Sequence, residues 1–198
     1  MTYSIFFIVS LTTIISFFYY KKFKGTVYRY FLYFLLVPFF TEFTYNIVLY
    51  WYYNYGIVLF NAYITYNLYL VTSFIFYFLF YKKISKNKRN RIIFSALNYV
   101  FIAYAIFDII ILKNGVRNLR TPILVFGGVL LLITLILFLI EIINSNKIIF
   151  NISKSFIFWI STGLLLFHVG IIPIMISRKF LNYNETYATI LVALNAVM

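Results

Sequence analysis

The sequence predicts an all-α fold: a polytopic bundle of transmembrane helices, six full spans plus a short seventh, in one domain over residues 1–198. Three observations predict it. Hydrophobic residues make up 64% of the chain and charged residues 11%, where soluble domains carry about 25% charged. The apolar residues fall into runs of the length a bilayer demands, about 20 residues at 1.5 Å each. The most polar stretch, Lys82–Arg91, is ten residues long, too short to hold a soluble domain.

The first run, Thr2–Tyr20, ends at Lys21-Lys22. It lacks a basic start and a small-residue cleavage site, so it reads as a membrane helix and not as a signal peptide. The second and third are Tyr30–Tyr50 and Ile57–Tyr81. The fourth is Ile92–Leu112, the fifth Thr121–Ile143 and the sixth Phe156–Ser177. Pro38 and Pro173 lie inside runs and should kink them, whereas Pro122 opens a helix, where the missing N–H costs little. A seventh run, Thr186–Met198, reaches only about 20 Å of a core about 30 Å thick. Three readings fit it: a half-span packed in the bundle, a helix completed by a partner, or a truncated chain. Truncation is the reading favoured here.

Net charge is +13, from 17 Lys and Arg against 4 Asp and Glu. In a chain this apolar, such a surplus sets topology before it suggests nucleic acid, because basic loops stay cytoplasmic. Counting Lys21, Lys22, Lys24 and Arg29 with Lys82–Arg91, Lys147 and Lys154 puts 12 cations on one side. The other side has 5: Lys113, Arg117, Arg120, Arg178 and Lys179. The N-terminus is therefore expected outside and the basic loops in the cytoplasm of an inner membrane. The basic loop Lys82–Arg91 is expected to lie against anionic lipid headgroups. The 20 Tyr and 25 Phe fit a compositional bias and are taken as background, although Tyr50-Trp51-Tyr52-Tyr53 stands where an interfacial aromatic belt belongs.

Ionisable groups inside a bilayer are costly, so they are the first functional candidates. Counted from the cytoplasmic helix ends at 1.5 Å per residue, Glu42 lies roughly 18 Å deep, His168 roughly 20 Å and Asp108 roughly 25 Å. Asn61 lies near the outer end of its helix, and Asn46 follows Glu42 by one turn. These five form a candidate outward-facing polar pocket, with Arg117 and Arg120 at its rim. The competing reading is structural: Glu42 and His168 pair to fix helix packing, and Asp108 meets Lys113 or Arg117 near water. Glu141, one turn from a cytoplasmic end, is read as solvated or paired with Lys147. Gly127-Gly128, Gly163 and Gly170 are read as packing residues.

Much chemistry is excluded. The absence of cysteine removes disulfides and thiolate ligands. A lone histidine makes a poor metal site, so neither metal nor cofactor is expected. No zinc-protease, phosphate-loop or nucleophile-elbow motif occurs. No regular arginine ladder, potassium-type filter or inverted repeat is evident either.

One stretch carries a resemblance. Residues Phe158-Trp159-Ile160-Ser161-Thr162-Gly163-Leu164-Leu165-Leu166-Phe167-His168, then Gly170 and Pro173, with the Glu42-x-x-x-Asn46 spacing, resemble a family of small uncharacterised multi-spanning membrane proteins common in Bacteroidetes. The chain is also similar to the membrane accessory protein encoded beside the RNA-guided RNase of type VI-B CRISPR systems. That similarity implies a role in antiphage defence, by modulating the nuclease or permeabilising the membrane, and carries over no site residue.

The expected function is thus non-enzymatic: a membrane component acting by pore formation or by regulating a partner. The alternative is a seven-helix sensor or carrier whose outward pocket takes a small molecule or ion. The expected partners are the lipid bilayer and either a second copy of the chain or another membrane protein, not nucleic acid.

Overall fold

A computed structural model describes residues 2–23, 25–56, 63–110, 121–144 and 156–180. The described residues form seven helices: α1 Thr2–Phe23, α2 Arg29–Phe34, α3 Leu36–Tyr55, α4 Tyr63–Ile84, α5 Lys88–Ile110, α6 Thr121–Asn144 and α7 Phe156–Phe180. No strand occurs among the described residues. With α2 and α3 taken as one span, six helices among the described residues are long and apolar enough to cross a membrane. The seventh apolar run, Thr186–Met198, lies outside the described residues.

The second span shows what a proline does inside an apolar run. Pro38 has no N–H for the carbonyl of Phe34, and its ring crowds that carbonyl. The helix accordingly stops at Phe34 and restarts at Leu36. Leu35 between them keeps right-handed dihedrals, φ −62° and ψ −19°, so the chain shifts without leaving the span. The hydroxyl of Thr13 on α1 approaches the Leu35 carbonyl at 3.4 Å, bringing a donor to the break. α7, in contrast, continues through Pro173 as one helix. Pro122 is the second residue of α6, where a proline is harmless.

Other element ends differ from the sequence reading. α3 continues past Tyr50 to Tyr55 and ends on Gly56, whose φ of +66° favours glycine. The ten-residue basic loop is mostly helix: α4 absorbs Lys82 and Lys83, α5 begins at Lys88, and only Ser85–Asn87 turn the chain. Basic side chains extend helix ends well, because they favour the negative end of the dipole and solvate the last turn. Arg178 and Lys179 likewise belong to α7 and not to a loop.

The helices pack in a chain of neighbours. α1 lies on α2 and α3, α3 on α4, α4 on α5 and α6, and α6 on α5 and α7. α6 is central: 44% of its span is buried, against 11% for α1. The core is Phe74, Phe78, Tyr81, Phe94 and Phe101 of α4 and α5, locked against Leu131 and Leu135 of α6. Gly127 makes this approach possible. A Cβ there would stand 2.7 Å from the Phe74 ring and 2.8 Å from the Phe101 ring. Large apolar residues such as Phe7, Phe18, Ile92, Tyr99, Trp159 and Leu166 cover the outside. That surface suits lipid; a water-soluble monomer rarely exposes apolar patches beyond a few hundred Å².

Hydroxyls are carried through the apolar spans on their own backbones. Ser10 donates to Phe6 O at 2.7 Å, Thr41 to Val37 O at 2.9 Å and Thr134 to Leu130 O at 3.1 Å. None of these needs a partner on another helix.

Gly127→Ala should lower the melting midpoint of the detergent-solubilised protein, at a cost of about 1–3 kcal/mol for overpacking. Gly163→Ala, with nothing within 4 Å of its added methyl, should leave the midpoint unchanged or raise it. Equal effects would show that the α4–α5–α6 contact is not tight.

Candidate functional site

The polar stretch of α3 sorts itself by where each side chain can reach. Thr41, Thr44 and Asn46 bond to the backbone of their own helix, Asn46 Nδ2 donating to Glu42 O at 2.8 Å. Glu42 does not. It is 9% exposed, and its Oε1 accepts a hydrogen bond of 2.9 Å from the Tyr66 hydroxyl of α4. Tyr45, one turn from Glu42 on the same face, sets its ring edgewise on Tyr66 with centroids 5.2 Å apart. Helical spacing of three places Glu42 and Tyr45 together, and antiparallel packing of α3 on α4 delivers Tyr66 to both.

Asp108 is fully buried near the end of α5. Its level follows from the α4–α5 register. Phe74 packs on Phe101, with centroids 5.2 Å apart. Seven residues further along each antiparallel helix, Asn67 and Asp108 come to the same height. Asn67 is also buried, and it follows Tyr66 directly. One turn of α4 therefore turns Tyr66 toward Glu42 on α3 and carries Asn67 at the height of Asp108 on α5. The structure brings two carboxylates to one level, on two sides of α4.

His168 lies elsewhere. Its ring contacts Phe74, at 5.9 Å between centroids, and Phe167, at 5.2 Å. Phe74 is eight residues from Tyr66 along α4, so His168 sits about 12 Å nearer the opposite end of the bundle. Its Nδ1–H donates to Leu164 O of its own helix at 2.8 Å. His168 and Glu42 do not pair; both face α4, at levels eight residues apart, Phe74 and Tyr66. Asn61, Arg117 and Arg120 lie outside the described residues. Among the described residues no three His, Asp or Glu gather as metal ligands.

A second polar centre occupies the basic end, at a residue the sequence reading dismissed. Glu141 of α6 accepts four hydrogen bonds from the α4–α5 turn. Ser85 Oγ and Asn90 Nδ2 donate to Oε2, both at 2.7 Å. The backbone N–H groups of Lys86 and Asn87 donate to Oε1 at 2.7 and 3.1 Å. Solvation or an ion pair was expected; the carboxylate instead organises a turn whose N–H groups face it. Tyr66 was missed too, because a chain with 20 tyrosines makes any one look like background. The available signal was the donor that a buried glutamate needs. Deeper in the bundle, the fully buried Tyr81 and Ser161 bond hydroxyl to hydroxyl at 2.9 Å, joining α4 to α7.

No protein-family model, curated protein or solved structure matches this chain.

What the Glu42 level can do chemically is limited and clear. A buried carboxylate, a phenol bonded to it and a second aromatic ring favour positive charge, by Coulomb attraction and by the quadrupole of the rings. Tyr66→Phe deletes a half-buried donor and leaves the Oε1 of the buried Glu42 without it, so a loss of about 1–3 kcal/mol is expected in thermal or denaturant unfolding. Asn46→Ala, which loses only a local bond within α3, should cost less than about 1 kcal/mol. A Tyr66→Phe variant as stable as wild type would mean that water replaces the phenol.

Proposed function

We propose that this protein is a non-enzymatic, multi-pass inner-membrane protein that recognises a small cation at an outward-facing pocket, as a sensor or carrier. The observation that carries this reading is the Tyr66–Glu42 hydrogen bond at the level of the buried Asp108. Orientation supports it. Lys21, Lys22, Arg29, Lys82, Lys83, Lys86, Lys88, Arg89 and Arg91 all lie at one end of the bundle. The ring of Phe156 on Phe23 and Tyr28, and Lys83 over the Tyr30 ring at 4.0 Å, hold that end together. By the positive-inside rule this end is cytoplasmic, so the Glu42 level is reached from the other side, past the outer ends of α4 and α5. Buried anionic groups, Glu42 at the middle of its span and Asp108 near the outer end of α5, are suited to a cation arriving from outside. His168 is assigned to packing on this reading.

The resemblance to a defence-linked accessory protein supports a different role, as a pore or a regulator of a partner. A pore would have to form between copies, because aromatic rings fill the centre of the described bundle. The two roles separate by copy number and by ligand.

The test is titration of the nanodisc-embedded protein with tetramethylammonium and with Na⁺, followed by intrinsic tryptophan fluorescence. Saturable binding is expected, weakened at least tenfold by Glu42→Gln, about 1.4 kcal/mol, with an unchanged melting midpoint. His168→Phe should bind as wild type does. If Glu42→Gln alters only stability, the pocket is structural and the reading fails.

A further inference from the structure

A cavity of about 590 Å³ opens at the basic end, between the α4–α5 turn, the end of α6 and the start of α7. Its size is that of a small-molecule site, typically about 300–1,000 Å³. Its lining is divided. Leu137, Phe138, Ile140 and Ile157 make an apolar wall, and Lys86 and Asn144 stand on the polar side, with Asn90 and Glu141 behind them. Glu141 does not make this a cation site, because four donors already occupy its two oxygens. The cations of the same segment, Lys82, Lys83, Lys86, Lys88, Arg89 and Arg91, stand six against that one carboxylate. Lys86 is exposed, and its backbone N–H, not its side chain, serves Glu141. Its ammonium is thus available to an anion at the mouth of the cavity.

The divided lining selects the occupant. A soluble anion gains nothing from the apolar wall, and a neutral lipid gains nothing from the surplus cations. An amphiphile with an anionic head uses both. We propose that this cavity seats an anionic phospholipid from the leaflet on the basic side. Its phosphate lies at Lys86 and Asn144, and the first methylenes of an acyl chain lie along Leu137, Ile140 and Ile157. Basic sites between helices at membrane depth recognise anionic headgroups through this combination of charge and apolar burial.

The experiment is native mass spectrometry of the delipidated, detergent-purified protein, given phosphatidylglycerol, phosphatidylcholine or inorganic phosphate. One phosphatidylglycerol should be retained, about tenfold in preference to phosphatidylcholine, and inorganic phosphate should neither bind nor compete at millimolar concentration. Lys86→Glu should reduce retention about tenfold with the melting midpoint unchanged. Ile140→Trp, which narrows the cavity from a half-exposed position, should reduce retention without removing a cation. Equal retention of the two lipids, competition by inorganic phosphate, or wild-type retention by Lys86→Glu would each overturn the proposal.

Discussion

The close approach of α6 to its neighbours at Gly127 and Gly128 is the constraint on which the other placements depend. Gly127 leaves room for the Phe74 and Phe101 rings, and Gly128 faces Ile172 and the His168 ring from α7. In lipid there is no hydrophobic force between helices, so association rests on van der Waals fit and on what small residues permit. Two adjacent glycines on one helix therefore set the relative height of α4, α5 and α7 at once. Once Phe74 lies opposite Phe101, the heights of Asn67 and Asp108 follow, as does the distance of His168 from Glu42. The polar groups are passengers of an apolar register.

This explains why hydroxyls such as those of Ser10, Thr41 and Thr134 need no bond across helices. A hydroxyl in an apolar span is satisfied on its own backbone, wherever packing places it. Bonds that cross join residues that the register has already brought together, among them Tyr66 to Glu42, Tyr81 to Ser161, the α4–α5 turn to Glu141, Tyr20 to Tyr33 and Thr13 to the Leu35 carbonyl. Three of them lie on or beside α4, Tyr66 near its start and Tyr81 and Ser85 about one turn apart at its other end. α4 and the turn after it thus take part in three of these polar connections, while α6 supplies the apolar contact.

The spans were legible because length and hydropathy are summed over some 20 residues, and local errors cancel. The boundaries were not, for physical reasons. Lys82 and Lys88 were read as loop because they are charged, yet helix ends accept long basic side chains readily. The break at Leu35 was partly legible: Pro38 announces a disturbance and places it about one turn earlier. Glu42 and Asp108 stood out because charge is rare in an apolar run. What depth counting could not supply was the register between helices. Equal depths placed His168 beside Glu42, whereas packing puts it among aromatic rings on another helix. Tyr66 carried no local signal at all, since its role exists only once α3 lies on α4.

Glu42 and Glu141 show why partners, and not residue type, decide a carboxylate's role. Both lie on apolar helices, and both are held by hydrogen bonds. A carboxylate offers about four acceptor positions. Glu141 has four donors, two of them backbone N–H groups of a turn, so it acts as the fastening of α4 to α5 and leaves no acceptor for a ligand. Glu42 receives one phenol from among the described residues, a donor that rotates about a single bond and can yield to a cation without unravelling a helix. A turn fastened by its backbone must stay put, whereas a carboxylate paired with a phenol can exchange partners. The exchangeable group lies at the middle of its span, away from the basic end, and the fixed one lies at the basic end. The two proposals accordingly assign different ligands to the two levels, a cation beside Glu42 and a phosphate beside Lys86.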